Sequence, residues 1–348
     1  MSDMARPTAR TTAAVASMLL LCGVVYRLAN SDSYRTMYPQ RVKLSASRHT
    51  HTVSLTAVSH VNATQPTSCR RLWKKGTSAW FDKKFRPELL PVWVKENTKL
   101  PDEVAKWWVG LQGNADKDYV DALTKAFEVI PDPQRFMTRN LSTCLRCAVV
   151  GNSGNLRGSG YGELIDSHDA VIRINQAKTK GFEKDVGGRE DYRLMYPESY
   201  MDIPAESNFI LLNFKILDIK WATSALTTGE VKRTYMAVRS KINVPPSKML
   251  FFNPELMWHI HHDWIDKKGR YPSSGTLGTF FALQFCDEVS VFGFGANSKG
   301  FWDHYWQKDD GARNSAFLKT RVHDSTHEME LITRLAEEQK ITLFKGVR

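Results

Sequence analysis

The chain has 348 residues, 42% of them apolar, with 10 Trp and 17 Phe, which is enough to bury the core of one large domain behind a tail. Lys and Arg number 48 against 37 Asp and Glu, leaving a formal charge of +11. The basic residues are dispersed rather than run together, which argues against a nucleic-acid partner and fits an anionic membrane face or a negatively charged small substrate.

Residues 1–10 carry Arg6 and Arg10, and Ala13 to Tyr26 is apolar before Arg27. That run is shorter than the ~20 residues a typical bilayer needs. Residues 11–29 can still span a thin secretory-pathway bilayer if Arg27 snorkels. No small-x-small cleavage pattern is evident, so a retained signal-anchor is favoured over a cleaved signal peptide, with residues 1–10 cytoplasmic. Residues 30–68 are rich in Ser, Thr, His, Arg and Gln without a sustained period, as in a solvated luminal stem, and the globular part is expected over 69–348. Asn62-Ala-Thr64 and Asn140-Leu-Ser142 are N-glycosylation sequons, consistent with a luminal chain.

Cys22 lies in the apolar run, while Cys69, Cys144, Cys147 and Cys286 fall in the globular part, where they allow three pairings. A zinc site on Cys144-x-x-Cys147 lacks a second ligand pair, so disulfides are expected in an oxidising lumen. Between Cys69 and Cys144 the pattern is helical. Pro101-Asp102-Glu103-Val104 opens one amphipathic stretch through Trp107, Trp108 and Leu111, and Asp116 to Val129 forms another. Asp116-Lys117-Asp118 spells a D-x-D, a metal-holding pattern in many transferases, but it reads better as an acidic first turn that stabilises the helix macrodipole.

The densest stretch is CLRCAVVGNSGNLRGSGYGELIDSHDAVIRIN, Cys144 to Asn175. It reads as a strand (Ala148 to Val150), a glycine loop (Gly151 to Gly160), a short helix (Tyr161 to Ile165) and a second strand (Ala170 to Ile174), a βαβ unit. Asn152 and Asn175 each follow a strand, at the carboxyl edge where open α/β sheets bind ligands. The glycine spacing is not G-x-G-x-x-G, which argues against a dinucleotide-dependent oxidoreductase. Further strands are expected at Leu194 to Tyr196, Phe209 to Phe214 and Met249 to Phe252, with a helix over Pro254 to Ile265 and a short strand-like run at Thr234 to Val238. This alternation predicts an α/β fold: a mostly parallel central sheet with helices on both faces.

A second dense stretch runs from Arg270 to Cys286, where Pro272 and Ser273 suit the start of a helix with Leu277, Phe280, Phe281 and Leu283 on its apolar face. A buried strand, Val289 to Phe294, follows with Gly293 and Gly295 at its end. Ser325-x-x-Glu328 reads as a capping box for a final helix whose apolar face is Met329, Ile332 and Leu335. Of ten histidines, His304 and His323 have a chemical argument, because an imidazole of pKa near 6.5 serves as base or as cation according to its surroundings.

Four of these segments, in order, resemble the motifs of the eukaryotic sialyltransferases. Cys144 to Asn175 is similar to the large sialylmotif, Arg270 to Gly295 to the small one, His304-Tyr305-Trp306 to the third motif, and His323-x-x-x-x-Glu328 to the very small motif. Tyr196-Pro-Glu-Ser199, Gly293-Phe-Gly295 and Phe344-Lys-Gly346 look most like the branch that sialylates O3 of galactose in Galβ1,3GalNAc. The resemblance implies a single glycosyltransferase domain of a GT-A-like, Rossmann-like variant, CMP-sialic acid as donor, a galactose-terminated glycan as acceptor and no metal cofactor. It implies donor contacts from Asn152, Ser153, Asn175, Tyr196, Ser273, Gly275 and Gly295, and acceptor contacts from Gln112, Tyr235 and Tyr271. His323 would be the base toward the acceptor hydroxyl and His304 the donor to the CMP phosphate. Cys147 would pair with Cys286, leaving Cys69 with Cys144. A single-pass type II protein of the Golgi membrane is implied, with release of a cleaved form left open. The intact histidine pair argues against a glycan-binding member of weak activity. The chain departs from the family at Glu190-Asp191-Tyr192-Arg193, which replaces the usual Thr-Thr-His, and the segment between His304 and His323 is slightly longer than usual.

Overall fold

The computed structural model describes residues 69–111, 118–136, 142–296, 302–307 and 322–347. The expected anchor and stem, Gln112, Asp116 and both sequon asparagines, Asn62 and Asn140, lie outside them.

Among the described residues seven strands form one sheet: β1 (Arg146–Val150), β2 (Ala170–Ile174), β3 (Tyr192–Met195), β4 (Asn208–Leu211), β5 (Met249–Phe251), β6 (Glu288–Phe292) and β7 (Thr342–Phe344). Their order is β5-β4-β3-β2-β1-β6-β7, and every pairing is parallel. Both faces of such a sheet are covered, which is why its strands read as continuous apolar runs instead of alternating ones. In β1, Cys147 and Val149 join the main core, while Ala148 and Val150 join a second cluster with Leu156, Ile165, Val171, Phe292 and Tyr305.

The helices are α1 (Ala79–Lys84), α2 (Asp102–Gly110), α3 (Tyr119–Val129), α4 (Gly162–Asp166), α5 (Glu183–Val186), α6 (Ile216–Leu226), α7 (Pro254–His259), α8 (Ser274–Phe285) and α9 (Ser325–Glu337). Helix α8 is buried almost all round and packs across β1, β2, β3 and β6. That position explains its lack of a polar face. Asp118, the described half of the D-x-D, caps α3 by accepting from the Asp121 N–H at 2.9 Å.

Two expected elements differ. Beyond His259 the chain continues as a π-helical turn, Ile260–Trp264, in which the Trp264 indole donates to His259 Nε2 at 3.1 Å. Thr234 to Val238 does not join the sheet; it folds back on itself through an Arg233–Ala237 bridge. Tyr235 is 53% exposed on that turn and does not face a neighbouring strand.

Disulfides join Cys69 to Cys144 and Cys147 to Cys286, with Cα atoms 5.6 and 6.1 Å apart. The second ties β1 to the residue that ends α8. After β7 the chain clasps the outside of the glycine loop. Tyr161 Oη donates to the Lys345 carbonyl at 2.6 Å, and the Val347 N–H donates to the Asn155 carbonyl at 3.1 Å. A Cβ on Gly346 would stand 2.0 Å from that carbonyl, so only glycine fits.

Candidate active site

The strand order reverses between β1 and β6, the place where open α/β sheets hold their ligands. Here the loops after the two strands are stitched together. Gly151 N–H donates to the Phe292 carbonyl at 2.8 Å, Ser153 N–H to the Gly293 carbonyl at 3.0 Å, and Ser153 Oγ to the Gly295 carbonyl at 2.7 Å. A Cβ at Gly151 would lie 2.4 Å from the Gly293 oxygen, so the backbones can approach this closely only without one. Above the stitch opens a cavity of about 350 Å³. Its lining brings together Asn152, Ser153, Asn175, Tyr196, Tyr235, Tyr271, Ser273, Gly275, Gly295, His304 and His323.

The two asparagines are held differently. Asn152 Nδ2 donates to the Ile174 carbonyl at 2.9 Å, which leaves its Oδ1 buried without a protein partner among the described residues. Asn175 adopts φ +51° at the end of β2, and its Oδ1 accepts from Ser199 Oγ at 3.1 Å. Its carbonyl accepts from Arg193 Nη1 at 2.7 Å, and Arg193 is in turn paired with Glu190 in a buried ion pair. The segment that departs from the family pattern therefore supports Asn175. Ser153 spends its hydroxyl proton on Gly295, so its first task is to join the two loops.

Ser273 caps α8, its Oγ accepting from the Thr276 N–H at 3.2 Å. The same helix start is held from across the cavity. Glu328, only 4% exposed, accepts the Ser273 N–H with both carboxylate oxygens at 3.1 Å and also the Thr276 hydroxyl. The expected capping box is corrected accordingly: Asp324 caps α9 by accepting from the His327 N–H at 3.1 Å, and Ser325 is the first helical residue. An aspartate one position earlier makes the same cap as serine and adds a charge that the helix dipole favours. Glu328 is thereby freed to serve α8. An incoming phosphate or carboxylate would share that helix start with a carboxylate already in place.

His323 Nδ1 lies 2.8 Å from the Tyr271 carbonyl. A carbonyl only accepts, so Nδ1 carries the hydrogen and the neutral ring has its lone pair on Nε2. The Tyr271 ring meets His323 edge-on at 5.2 Å and packs on Phe214 at 4.5 Å. His304 bridges to Ser153 through the backbone, and its ring stacks on Trp306 at 4.6 Å with 4° between planes. Its Nδ1 has no protein partner among the described residues, and burial pushes its pKa below the usual histidine value. Burial likewise pushes the phenols of Tyr196, Tyr235 and Tyr271 up, so all three remain hydrogen-bond donors near neutrality.

Beside Tyr235 and Tyr271 lies a cluster that sequence reasoning missed. Lys215 Nζ stands 3.2 Å from Glu198 Oε1, 2.5 Å from Asp218 Oδ1 and 4.9 Å over the Tyr235 ring. Asp218 is fully buried at the start of α6, where its Oδ2 accepts the N–H groups of Phe214 and Lys215 at 2.9 and 3.2 Å. Burial pushes its pKa up to about 7 despite the lysine. The available signals were slight: Glu198 sits inside Tyr-Pro-Glu-Ser, and Lys215 follows a strand end, where side chains face the ligand crevice.

A cavity at the crossover of a parallel sheet, with histidines among its walls, has the layout of an α/β ligand site that carries acid–base groups. Comparison with known proteins makes the class particular. The chain matches the sequence profile of glycosyltransferase family 29 (sialyltransferase) over residues 92–340 and belongs to that family. It is 46% identical over 271 residues to the mouse CMP-N-acetylneuraminate-beta-galactosamide-alpha-2,3-sialyltransferase 2, covering 78% of this chain and 77% of that protein. With the human CMP-N-acetylneuraminate-beta-galactosamide-alpha-2,3-sialyltransferase 1 it shares 42% identity over 285 residues, 81% of this chain and 83% of that protein. Its fold is similar to the crystal structure of a mammalian sialyltransferase in complex with Gal-beta-1-3GalNAc-ortho-nitrophenol, with TM-score 0.74 and 41% identity, covering 81% of this chain and 99% of that chain.

Proposed function

We propose that this sialyltransferase moves sialic acid from CMP-sialic acid to the 3-hydroxyl of galactose in Galβ1,3GalNAc-type glycans on glycoproteins or glycolipids, inverting the anomeric centre. The α2,3 linkage is supported by the names of its relatives and by the disaccharide bound to the similar structure. The observation that carries the mechanism is the 2.8 Å contact of His323 Nδ1 with the Tyr271 carbonyl: it assigns the hydrogen to Nδ1 and the neutral ring's lone pair to Nε2, on a residue that lines the cavity.

In this reading Nε2 of His323 takes the proton of the galactose 3-hydroxyl as that oxygen attacks the sialic acid anomeric carbon. The bond from that carbon to the CMP phosphate breaks on the opposite face, and CMP leaves as the anion. His304 donates a hydrogen bond to the departing phosphate. Burial favours the neutral form of its ring. Asn152, Ser153, Asn175, Tyr196, Ser273, Gly275 and Gly295 hold the donor, and Gln112, Tyr235 and Tyr271 hold the acceptor. No step is routed through a metal. The domain works in the Golgi lumen, tethered by residues 11–29 through the stem of residues 30–68.

Linkage analysis of products from an acceptor panel, run with and without EDTA, tests the reaction. An α2,3 product on Galβ1,3GalNAc, formed at full rate in EDTA, is expected; no sialylated product, or a loss that Mn²⁺ restores, would overturn the scheme. The histidine roles separate by partial reactions. His323→Ala is expected to lose about 10²- to 10⁴-fold in transfer while still binding CMP. His304→Ala is expected to lose about 10²- to 10³-fold, and to slow donor hydrolysis in water as well. Near-normal transfer by folded His323→Ala removes it as the base.

A further inference from the structure

Glu198 presents a feature that the proposed catalytic scheme does not use. Its Oε1 accepts from Lys215 Nζ and from the Thr234 hydroxyl, so that oxygen is occupied. Its Oε2 is buried without a hydrogen-bond partner among the described residues, although the side chain lines the transfer cavity. A buried carboxylate oxygen left unpaired is costly, and such orphans in native proteins commonly await a ligand or water. The neighbouring charges limit what that ligand can be. One ammonium faces two carboxyl groups, Glu198 and Asp218, so the lysine's charge is already matched and none is spare for an anion. The cluster therefore does not suit a phosphate or a sialic acid carboxylate. A neutral hydroxyl suits it, and the phenols of Tyr235 and Tyr271 line the same part of the cavity, flat surfaces on which a sugar ring can lie.

We propose that Glu198, fixed by Lys215 and Thr234, is a specificity-determining residue whose Oε2 accepts a hydrogen bond from one sugar hydroxyl of the substrates seated in this cavity. The proposal rests on the transferase reading of the site. The hydroxyl belongs either to the acceptor galactose or to the glycerol chain of the donor sialic acid, and substrate analogues tell these apart. A site that hydrogen-bonds a substrate hydroxyl discriminates strongly against the analogue lacking it, because the protein group is then left buried and unpaired.

The experiment measures kcat/KM for the wild type and for Glu198→Gln with Galβ1,3GalNAc, with its 2-, 4- and 6-deoxygalactose analogues, and with CMP-sialic acid whose glycerol chain is truncated. One analogue is expected to cost the wild type about 10- to 100-fold, the range for a hydrogen bond to a charged group. The same analogue should cost Glu198→Gln no more than about 3-fold, since the partner is already altered and the two losses overlap. The arm in which the overlap occurs identifies the sugar. Should Glu198→Gln fail to fold, judged by circular dichroism and CMP binding, Glu198→Asp keeps the ion pair with Lys215 while drawing the carboxylate back, and the same overlap is expected. Equal losses in wild type and variant for every analogue overturn the proposal. So does a wild type indifferent to every deletion. A wild type that transfers no sialic acid at all defeats the transferase reading instead.

Discussion

Substituting Glu328→Gln distinguishes the observed role of this carboxylate from the one its sequence position suggests. In a capping box for α9 glutamine serves as well as glutamate, so the change would be nearly silent. In the structure the carboxylate instead holds the start of α8, accepting the Ser273 N–H and the Thr276 hydroxyl. The amide retains one acceptor oxygen and turns an NH₂ toward a donor, so one charge-assisted hydrogen bond is lost, about 1.5–3 kcal/mol. Removing the charge from the α8 N-terminus costs about another 0.3–1 kcal/mol. Together the variant should unfold with roughly 2–4 kcal/mol less free energy than the wild type. Urea unfolding followed by circular dichroism measures this, with an unchanged slope showing that the same surface is exposed. A loss under about 0.5 kcal/mol, within the range of ordinary surface substitutions, would return Glu328 to the capping-box role and refute the reasoning.

The disulfide between Cys147 and Cys286 closes a loop with a sequence separation of 139. The chain-entropy relation then gives about 5 kcal/mol for the paired change to alanine, a large part of a typical domain stability; urea unfolding that moves by less than about 1 kcal/mol would contradict it. Asp218, with its pKa raised from 3.8 to about 7 by burial, binds its proton more tightly folded than unfolded, so its contribution is greatest in acid and is lost as pH rises toward 7. The unfolding free energy of wild type minus that of Asp218→Asn should accordingly fall by about 1.4 kcal/mol per pH unit across that window. A difference independent of pH would show that Asp218 stays ionised throughout.

The sheet was legible because parallel strands buried on both faces leave unbroken apolar runs: β2 spans Ala170–Ile174, as its residues alone suggest. The glycine loops were legible for the same physical reason that makes them necessary, since a side chain at Gly151 would collide with Gly293. The cysteines alone left three disulfide arrangements open; the resemblance to the family implied the pairing that the structure has. Thr234 to Val238 has strand-forming residues, yet an isolated run finds a sheet edge only if the fold supplies one. The cluster of Glu198, Lys215 and Asp218 was invisible for another reason. Its members lie on two segments that meet only after folding, Glu198 after β3 and the Lys215–Asp218 pair at the start of α6, and a Lys or Asp alone looks in sequence like any surface charge.

The tail beyond β7 has a practical consequence. Because Lys345 and Val347 are bonded to Tyr161 and Asn155, the final residues act as an outer brace for the glycine loop. Asn155 in turn reaches inward through its Nδ2 to the Ala296 carbonyl at 2.9 Å, beside the Gly295 wall of the cavity. A bulky group placed at Lys345–Val347 would load the loop that frames the pocket from behind, and loss of these contacts would release its brace. Changes to Lys345, Gly346 or Val347 are therefore expected to reach the cavity through the glycine loop, without touching a residue that lines it.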